Sequence, residues 1–202
     1  MLIKTLNVGH LDTNCYVVTD EDSLLCAVID PGAESNTILD YLEEHKLKCA
    51  AILLTHAHFD HVGAVDTVLE ETGAQLYLCG KELQLSPRMS GGWRPGEGAR
   101  FYAEGDTVAV GALCFTVLET PGHTPGGVCL LCGSALFTGD TLFRGSCGRA
   151  DFEGADLMQE FASLKKLAEL PGDYEVYPGH DIQTTLSRER EANPYMKRAM
   201  EL

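Results

Sequence analysis

Short apolar runs and alternating apolar and polar residues fill much of the first half of the chain, and both patterns are typical of β-strands. The strands predicted there are 2–8, 14–19, 24–29 and 50–54. Apolar residues on one face of the segment 34–46 predict a helix. Val62, Val65 and Leu69 recur at helical spacing before Thr72-Gly73, which predicts a second helix that ends at this glycine.

The rest of the chain has the same character, with predicted strands at 74–78, 106–110, 113–119, 127–132 and 134–138. Helices are predicted over 156–170, with Asp156 as the cap, and over 184–192, where a polar sequence predicts an exposed helix. Residues 86–100 show no periodicity and contain the only tryptophan. Because long loops are often functional, we interpret 86–100 as a loop beside the substrate, with a plain surface excursion as the alternative.

The length of 202 residues is enough for one large core and predicts a single domain over 1–202. The sequence has 15 Lys and Arg against 30 Asp and Glu, a formal charge of −15, which argues against nucleic acid or an anionic membrane as a partner. The N-terminus does not resemble a signal peptide, and no apolar run has the length of a membrane span. We therefore expect a cytoplasmic protein.

The eight cysteines lie mostly within apolar runs. Such positions favour buried free thiols over a disulfide framework. Cys129 and Cys132 form a CxxC pattern, but residues three apart in a strand point to opposite faces of the sheet. This disfavours a redox or zinc site at these two cysteines.

Four residues of types that bind metals follow the apolar run 50–54, within the sequence His56-Ala57-His58-Phe59-Asp60-His61. The alternation of His56 and His58 places both imidazoles on one side of an extended segment. Asp60 and His61 come after a bend and can face a second ion. The stretch therefore predicts a metal site with room for two ions.

Three further residues of these types occur downstream, each after an apolar stretch and a glycine: His123, Asp140 and His180. A sheet delivers side chains from its strand ends to one shared edge in this way, so we expect the three to meet the earlier stretch. His10 and His45 have no such neighbours, and we interpret both as residues outside the site.

Together these residues resemble the HxHxDH motif and downstream ligands of the metallo-β-lactamase superfamily. The resemblance covers nearly the whole chain and implies an α/β fold of the metallo-β-lactamase-type αββα sandwich. It implies two divalent metal ions, zinc first and iron or manganese as alternatives. One ion would be held by His56, His58 and His123, the other by Asp60, His61 and His180, with Asp140 as the bridge. The sequence departs from many members at Gly63-Ala64, where they have paired glycines.

Within the superfamily the likeness is to glyoxalase II and its small single-domain relatives, and it is carried by 139–143, 145–149 and 152–154. These enzymes hydrolyse thioesters of glutathione, so the resemblance implies a small thioester such as S-D-lactoylglutathione as the substrate. The implied catalytic residues are His58, Asp60 and Asp140. Arg149 matches a position that meets a substrate carboxylate, with a surface arginine as the alternative. The C-terminal helical domain of full-length glyoxalase II is not expected within 1–202.

Other functions remain open on the same fold. A persulfide dioxygenase would hold one iron with His56, His123 and Asp140, which form a two-histidine, one-carboxylate set. A lactonase or another ester hydrolase would use the same ligands as the thioesterase. A non-catalytic module would be expected to have lost at least one ligand, whereas all seven are present.

Overall fold

The computed structural model describes residues 1–202, and the first apolar runs of the sequence form one six-stranded sheet in it. Its strands, in sheet order, are β1 (Leu2–Val8), β2 (Thr13–Asp20), β3 (Leu25–Ile29), β4 (Lys48–Leu53), β5 (Gln75–Cys79) and β6 (Arg100–Tyr102). The pairs β1–β2 and β2–β3 are antiparallel, whereas β3 to β6 run parallel. The parallel part therefore directs several strand ends to one edge of the sheet.

The later runs form a second six-stranded sheet in the order β14-β13-β10-β9-β8-β7. These strands are β7 (Thr107–Val110), β8 (Leu113–Glu119), β9 (Val128–Cys132), β10 (Ala135–Gly139), β13 (Glu175–Pro178) and β14 (Thr184–Thr185). A separate two-stranded hairpin joins β11 (Leu142–Phe143) to β12 (Ser146–Cys147). The parallel pair β10–β13 brings the ends of both strands to the same edge.

Six helices cover the outer faces of the two sheets: α1 (Ser35–Glu44), α2 (Phe59–Val62), α3 (Val65–Thr72), α4 (Leu157–Ala168), α5 (Leu186–Ala192) and α6 (Pro194–Glu201). The core between the sheets includes the buried rings of Tyr16, Phe115 and Phe137. Two further cores lie on the outer faces, one under α1 and α3 and one under α4 to α6. This arrangement confirms the expected αββα sandwich.

The predicted elements agree with the structure to within a few residues, with three exceptions. The expected helix after the histidine-rich stretch is divided into α2 and α3, with the break at Gly63-Ala64. The end of the 86–100 segment belongs to β6, which pairs with β5. The helix predicted as exposed over 184–192 begins only at Leu186, and its Leu186 and Glu189 are fully buried. The rest of the helix is exposed apart from the half-buried Arg190, so the prediction holds except for one face, on which Leu186 packs against residues of α4 and α6.

Six of the eight cysteines are buried, and all eight are free thiols. Cys129 belongs to the core under α4, whereas Cys132 belongs to the core between the sheets. The predicted opposite orientation of the CxxC residues is therefore confirmed. None of the helices is both long and apolar enough to cross a membrane.

Candidate metal centre

The histidine-rich stretch begins where β4 ends, and its first two histidines are buried. His56 Nε2 lies 3.1 Å from His58 Nδ1. His58 has extended backbone angles and directly precedes α2, so the chain changes direction there. His123, in the loop between β8 and β9, places its Nε2 3.0 Å from the same His58 Nδ1. We call His56, His58 and His123 the three-histidine set.

The change of direction at α2 places Asp60 and His61 beside His180, which follows β13. His61 Nε2 lies 3.3 Å from His180 Nε2. His180 Nε2 lies 3.2 Å from an oxygen of Asp60. We call Asp60, His61 and His180 the second set.

Asp140, at the end of β10, contacts both sets. Its Oδ2 lies 3.3 Å from His123 Nε2 and 3.5 Å from His180 Nε2. Its Oδ1 lies 3.4 Å from His61 Nε2. This single carboxylate therefore joins the two groups of side chains.

Backbone carbonyl groups around the centre fix the orientation of two of the imidazoles. His123 Nδ1 donates to the carbonyl oxygen of Arg149 at 2.9 Å, and His180 Nδ1 donates to that of Leu11 at 3.0 Å. A carbonyl only accepts, so Nδ1 carries a proton in both rings and Nε2 is the nitrogen that faces the centre. In the neutral form of either ring, Nε2 is therefore the atom that can bind a metal ion.

Burial and the neighbouring His123 lower the pKa of His58 to about 3, and burial with His61 holds the pKa of His56 well below its ordinary value. Burial acts in the opposite sense on Asp140, but His61 and His123 hold the pKa of this carboxyl well below its usual range. Neutral imidazoles beside a charged carboxylate are the donors that zinc and iron prefer.

Two buried atoms of the centre, His58 Nε2 and Asp140 Oδ1, have no hydrogen-bond partner. Buried polar atoms are rarely left in this state, and a nitrogen and a carboxylate oxygen without partners are both suited to bind a cation. The residues therefore fit bound metal ions.

The sequence signature of the metallo-beta-lactamase superfamily matches residues 8–180 of this chain. The chain belongs to this superfamily. Proteins with the fold of this superfamily bind metal ions.

Several relatives in this superfamily match along nearly their full length. The chain is 35% identical over 205 residues to the probable metallo-hydrolase YqgX of Bacillus subtilis (strain 168), with 96% of each chain covered. It is 31% identical to the hydroxyacylglutathione hydrolase GloC of Haemophilus influenzae, covering 97% of this chain and 98% of GloC. The crystal structure of TTHA1623 in a di-iron-bound form is 40% identical with a TM-score of 0.84, covering 95% of this chain and 99% of that one.

Residues around the superfamily motif hold its side chains in place. Asp30 accepts from Thr55 N at 2.8 Å and Thr55 Oγ1 at 2.5 Å, and its Oδ2 lies 3.0 Å from His61 Nδ1. Asn14 donates to the carbonyl oxygens of Pro178 and Asp181, on either side of His180. Asp30 and Asn14 therefore orient the second set from outside it.

The backbone also approaches the centre closely. A Cβ on Gly179 would lie 2.2 Å from Asp140 Oδ1 and 2.8 Å from the His61 ring. Only glycine leaves room for both side chains at this point.

Sequence reasoning missed two buried acids beside the superfamily ligands, Glu82 and Glu160. Glu160 accepts from the backbone N–H of His123 at 2.9 Å. A signal for it was present, since Glu160 precedes Leu164 by four residues on the buried face of α4. Glu82 has no comparable signal, because it lies in a short 3₁₀ turn of mixed composition.

Arg149 lies at the rim of the centre with its side chain 75% exposed. Its guanidinium binds the carboxylate of Asp151 through two contacts of 2.9 and 3.1 Å and lies 5.8 Å from the ring centre of Phe152. The Phe152 ring is 5.3 Å from that of His58. The Phe152 ring thus lies close to both the guanidinium and the three-histidine set.

The remaining two histidines lie apart from both sets. His45 Nδ1 contacts the carbonyl oxygen of Tyr41 at the end of α1. The His10 ring lies 6.5 Å from that of Phe59. Neither belongs to a group of side chains suited to a metal ion.

Proposed function

We propose that this protein is a hydrolase that uses two divalent metal ions, zinc in the first place, to cleave small thioesters of the kind hydrolysed by glyoxalase II. One observation carries the proposal: two adjacent groups of three ligands share the carboxylate of Asp140. This is the arrangement that binuclear hydrolysis requires, because attacking and leaving atoms are stabilised from two positions.

In this proposal the three-histidine set would hold one ion and the second set the other, and Asp140 would contribute a ligand to both. Two bound ions would supply a Lewis acid for the thioester carbonyl and would lower the pKa of water at the site. Asp60 keeps its charge, since His180 and His61 outweigh the burial that would raise its pKa, and the pKa of this carboxyl is lowered. Asp140 and Asp60 therefore supply the negative charge that two cations need.

The apolar rim supports an organic substrate. Phe152 packs against the rings of His58 and His123, with ring centres 5.3 and 5.1 Å apart. Phe59 directly follows His58 and is 42% exposed. These rings shield the centre and offer an apolar contact to the substrate. The guanidinium of Arg149 would bind a carboxylate of the substrate in place of the carboxylate of Asp151.

The family relatives support a hydrolase in particular. GloC carries the name hydroxyacylglutathione hydrolase, and the alignment covers nearly all of both chains. S-D-lactoylglutathione is therefore the first substrate to test, followed by other small thioesters and by lactones.

The experiment measures metal content by mass spectrometry and hydrolysis of S-D-lactoylglutathione on the same preparation. Two metal ions per chain and zinc-dependent turnover are expected. Hydrolysis of lactones or oxygen esters with no turnover of any thioester would overturn the thioesterase assignment while retaining the hydrolase.

A second candidate is a mononuclear iron dioxygenase, favoured by the contact of 3.3 Å between His123 Nε2 and Asp140 Oδ2 beside the buried His56. The related TTHA1623 structure shows that one relative binds iron, there as a di-iron pair. His56, His123 and Asp140 would hold the iron. Oxygen uptake separates the two functions. One iron per chain with persulfide-dependent oxygen uptake would support the dioxygenase, and two ions without oxygen uptake would support the hydrolase.

A further inference from the structure

Glu82 is a buried carboxylate that contacts two separate loops beside the centre. It lies in the 3₁₀ turn Gly80–Gln84 after β5 and is 2% exposed. Its Oε2 accepts from the backbone N–H of Ala57 at 2.6 Å, and its Oε1 accepts from that of Gly126 at 2.7 Å. Hydrogen bonds of this length to a carboxylate are strong in a buried setting.

The two partners of Glu82 lie inside the segments that carry the three-histidine set. Ala57 stands between the first two histidines of the set, and Gly126 follows the third by three residues. The side chain of Glu82 therefore joins the loop after β4 to the loop between β8 and β9, which belong to different sheets.

The contact with Gly126 is too close for any other residue. A Cβ at this position would lie 2.7 Å from Glu82 N and 2.9 Å from Glu82 Oε1. The loop of the third histidine thus rests directly on the carboxylate, and a methyl group would push the two apart.

We propose that Glu82 is a positioning residue that sets the distance between these two loops and, through it, the metal affinity of the three-histidine set. The inference rests on the metal centre of the proposed function. Partners one step removed from the ligands commonly change metal affinity 10–100-fold when they are lost.

The effect should be confined to one of the two sites. The second set is held by other groups: Asp30 contacts His61, and the carbonyl oxygen of Leu11 accepts from His180. Glu82 makes none of these contacts.

Glu82→Gln provides the test because the amide has the same size but only one acceptor. Its NH₂ group must face one of the two backbone N–H donors, so one loop loses its partner. Gly126→Ala separates the loop from the carboxylate while leaving Glu82 intact. Glu189→Gln is the matched control, since Glu189 is also fully buried and accepts from a backbone N–H, that of Gly145, at 2.6 Å.

The measurement titrates Zn²⁺ into the chelator-treated protein against a chromophoric chelator and records Tm for each variant. We expect Glu82→Gln and Gly126→Ala to weaken one of two zinc equivalents by about 10–100-fold and to change the other by less than about threefold. The weakened equivalent should be the one abolished by His123→Ala. Glu189→Gln should lower Tm and leave both affinities unchanged.

Wild-type affinity for both equivalents in Glu82→Gln and Gly126→Ala, with Tm lowered as in Glu189→Gln, would overturn the inference and leave Glu82 a purely structural role. If Glu82→Gln fails to fold, Gly126→Ala decides alone. Wild-type protein that binds no zinc at the three-histidine set would overturn the proposed function as well. If the wild-type protein binds two zinc ions and hydrolyses thioesters, the proposed function stands, and the result for the variants then tests the role of Glu82 alone.

Discussion

Replacing Asp140 by alanine removes the one carboxylate that contacts nitrogen atoms of both sets. Its oxygens lie 3.3, 3.4 and 3.5 Å from Nε2 of His123, His61 and His180, respectively. We expect Asp140→Ala to lower metal content from two ions toward one or none and to abolish hydrolysis.

The size of the effect on stability follows from linkage between binding and folding. At a free Zn²⁺ concentration of 100 Kd, each occupied site stabilises the fold by about 2.7 kcal/mol, and a site that no longer binds contributes nothing. Loss of one site corresponds to roughly 5–11 °C and loss of both to roughly 11–22 °C, because a domain of this length shifts by about 2–4 °C per kcal/mol. The zinc-induced rise in Tm should shrink by this amount.

The assay is differential scanning calorimetry with and without Zn²⁺, with metal content measured on the same samples. His45→Ala is the control, since this imidazole lies at the end of α1 away from both sets. It should show the wild-type rise in Tm. Retention of two zinc ions, full turnover and an unchanged rise in Asp140→Ala would refute the bridging role.

The other predictions concern orientation, protonation and substrate binding. Asp30→Asn keeps the size of the side chain, and asparagine tolerates the φ of +50° at this position. The substitution removes the negative charge that faces His61, so zinc affinity measured by chelator competition should fall about 10–100-fold. Burial lowers the pKa of His61, but Asp140 and Asp30 raise it to about 9 in the metal-free protein. Protonated His61 therefore stabilises the metal-free fold fully below about pH 6.5, and this stabilisation is lost as the pH rises toward 9. Zinc binding at pH 7.5 should release about one proton, which calorimetry in two buffers of different ionisation enthalpy would measure. Activity of the zinc-loaded enzyme should fall below about pH 6–7, and a flat profile down to pH 5 would contradict this. Arg149→Ala should raise KM for S-D-lactoylglutathione about tenfold with kcat within about twofold, whereas Asp151→Asn should lower KM; equal KM values in all three proteins would leave Arg149 a surface role.

The clustering of the seven candidate ligands could be predicted because each lies in a segment that follows a short apolar strand. Parallel strands end at the same edge, so residues 123, 140 and 180 meet the stretch at 56–61 although they are far apart in sequence. The strands and helices themselves could be predicted because a half-buried element repeats its apolar residues with the period of a strand or a helix.

The parts that sequence could not give depend on contacts between distant segments. β6 has only three residues, includes Arg100 and the exposed Phe101, and becomes a strand only by pairing with β5. Glu82 is an ordinary polar residue of a turn until the fold places two backbone N–H groups against it. Burial of a charged side chain is decided by its neighbours in space, which no local period records.

Each ligand set takes residues from both sheets, since positions 56–61 follow the first sheet and positions 123, 140 and 180 follow strands of the second. Metal ions at this edge would therefore connect the two sheets of the sandwich as two cross-links. Because bound metal stabilises the folded state, removal of the metal would lower the free energy of unfolding as well as the rate of the reaction.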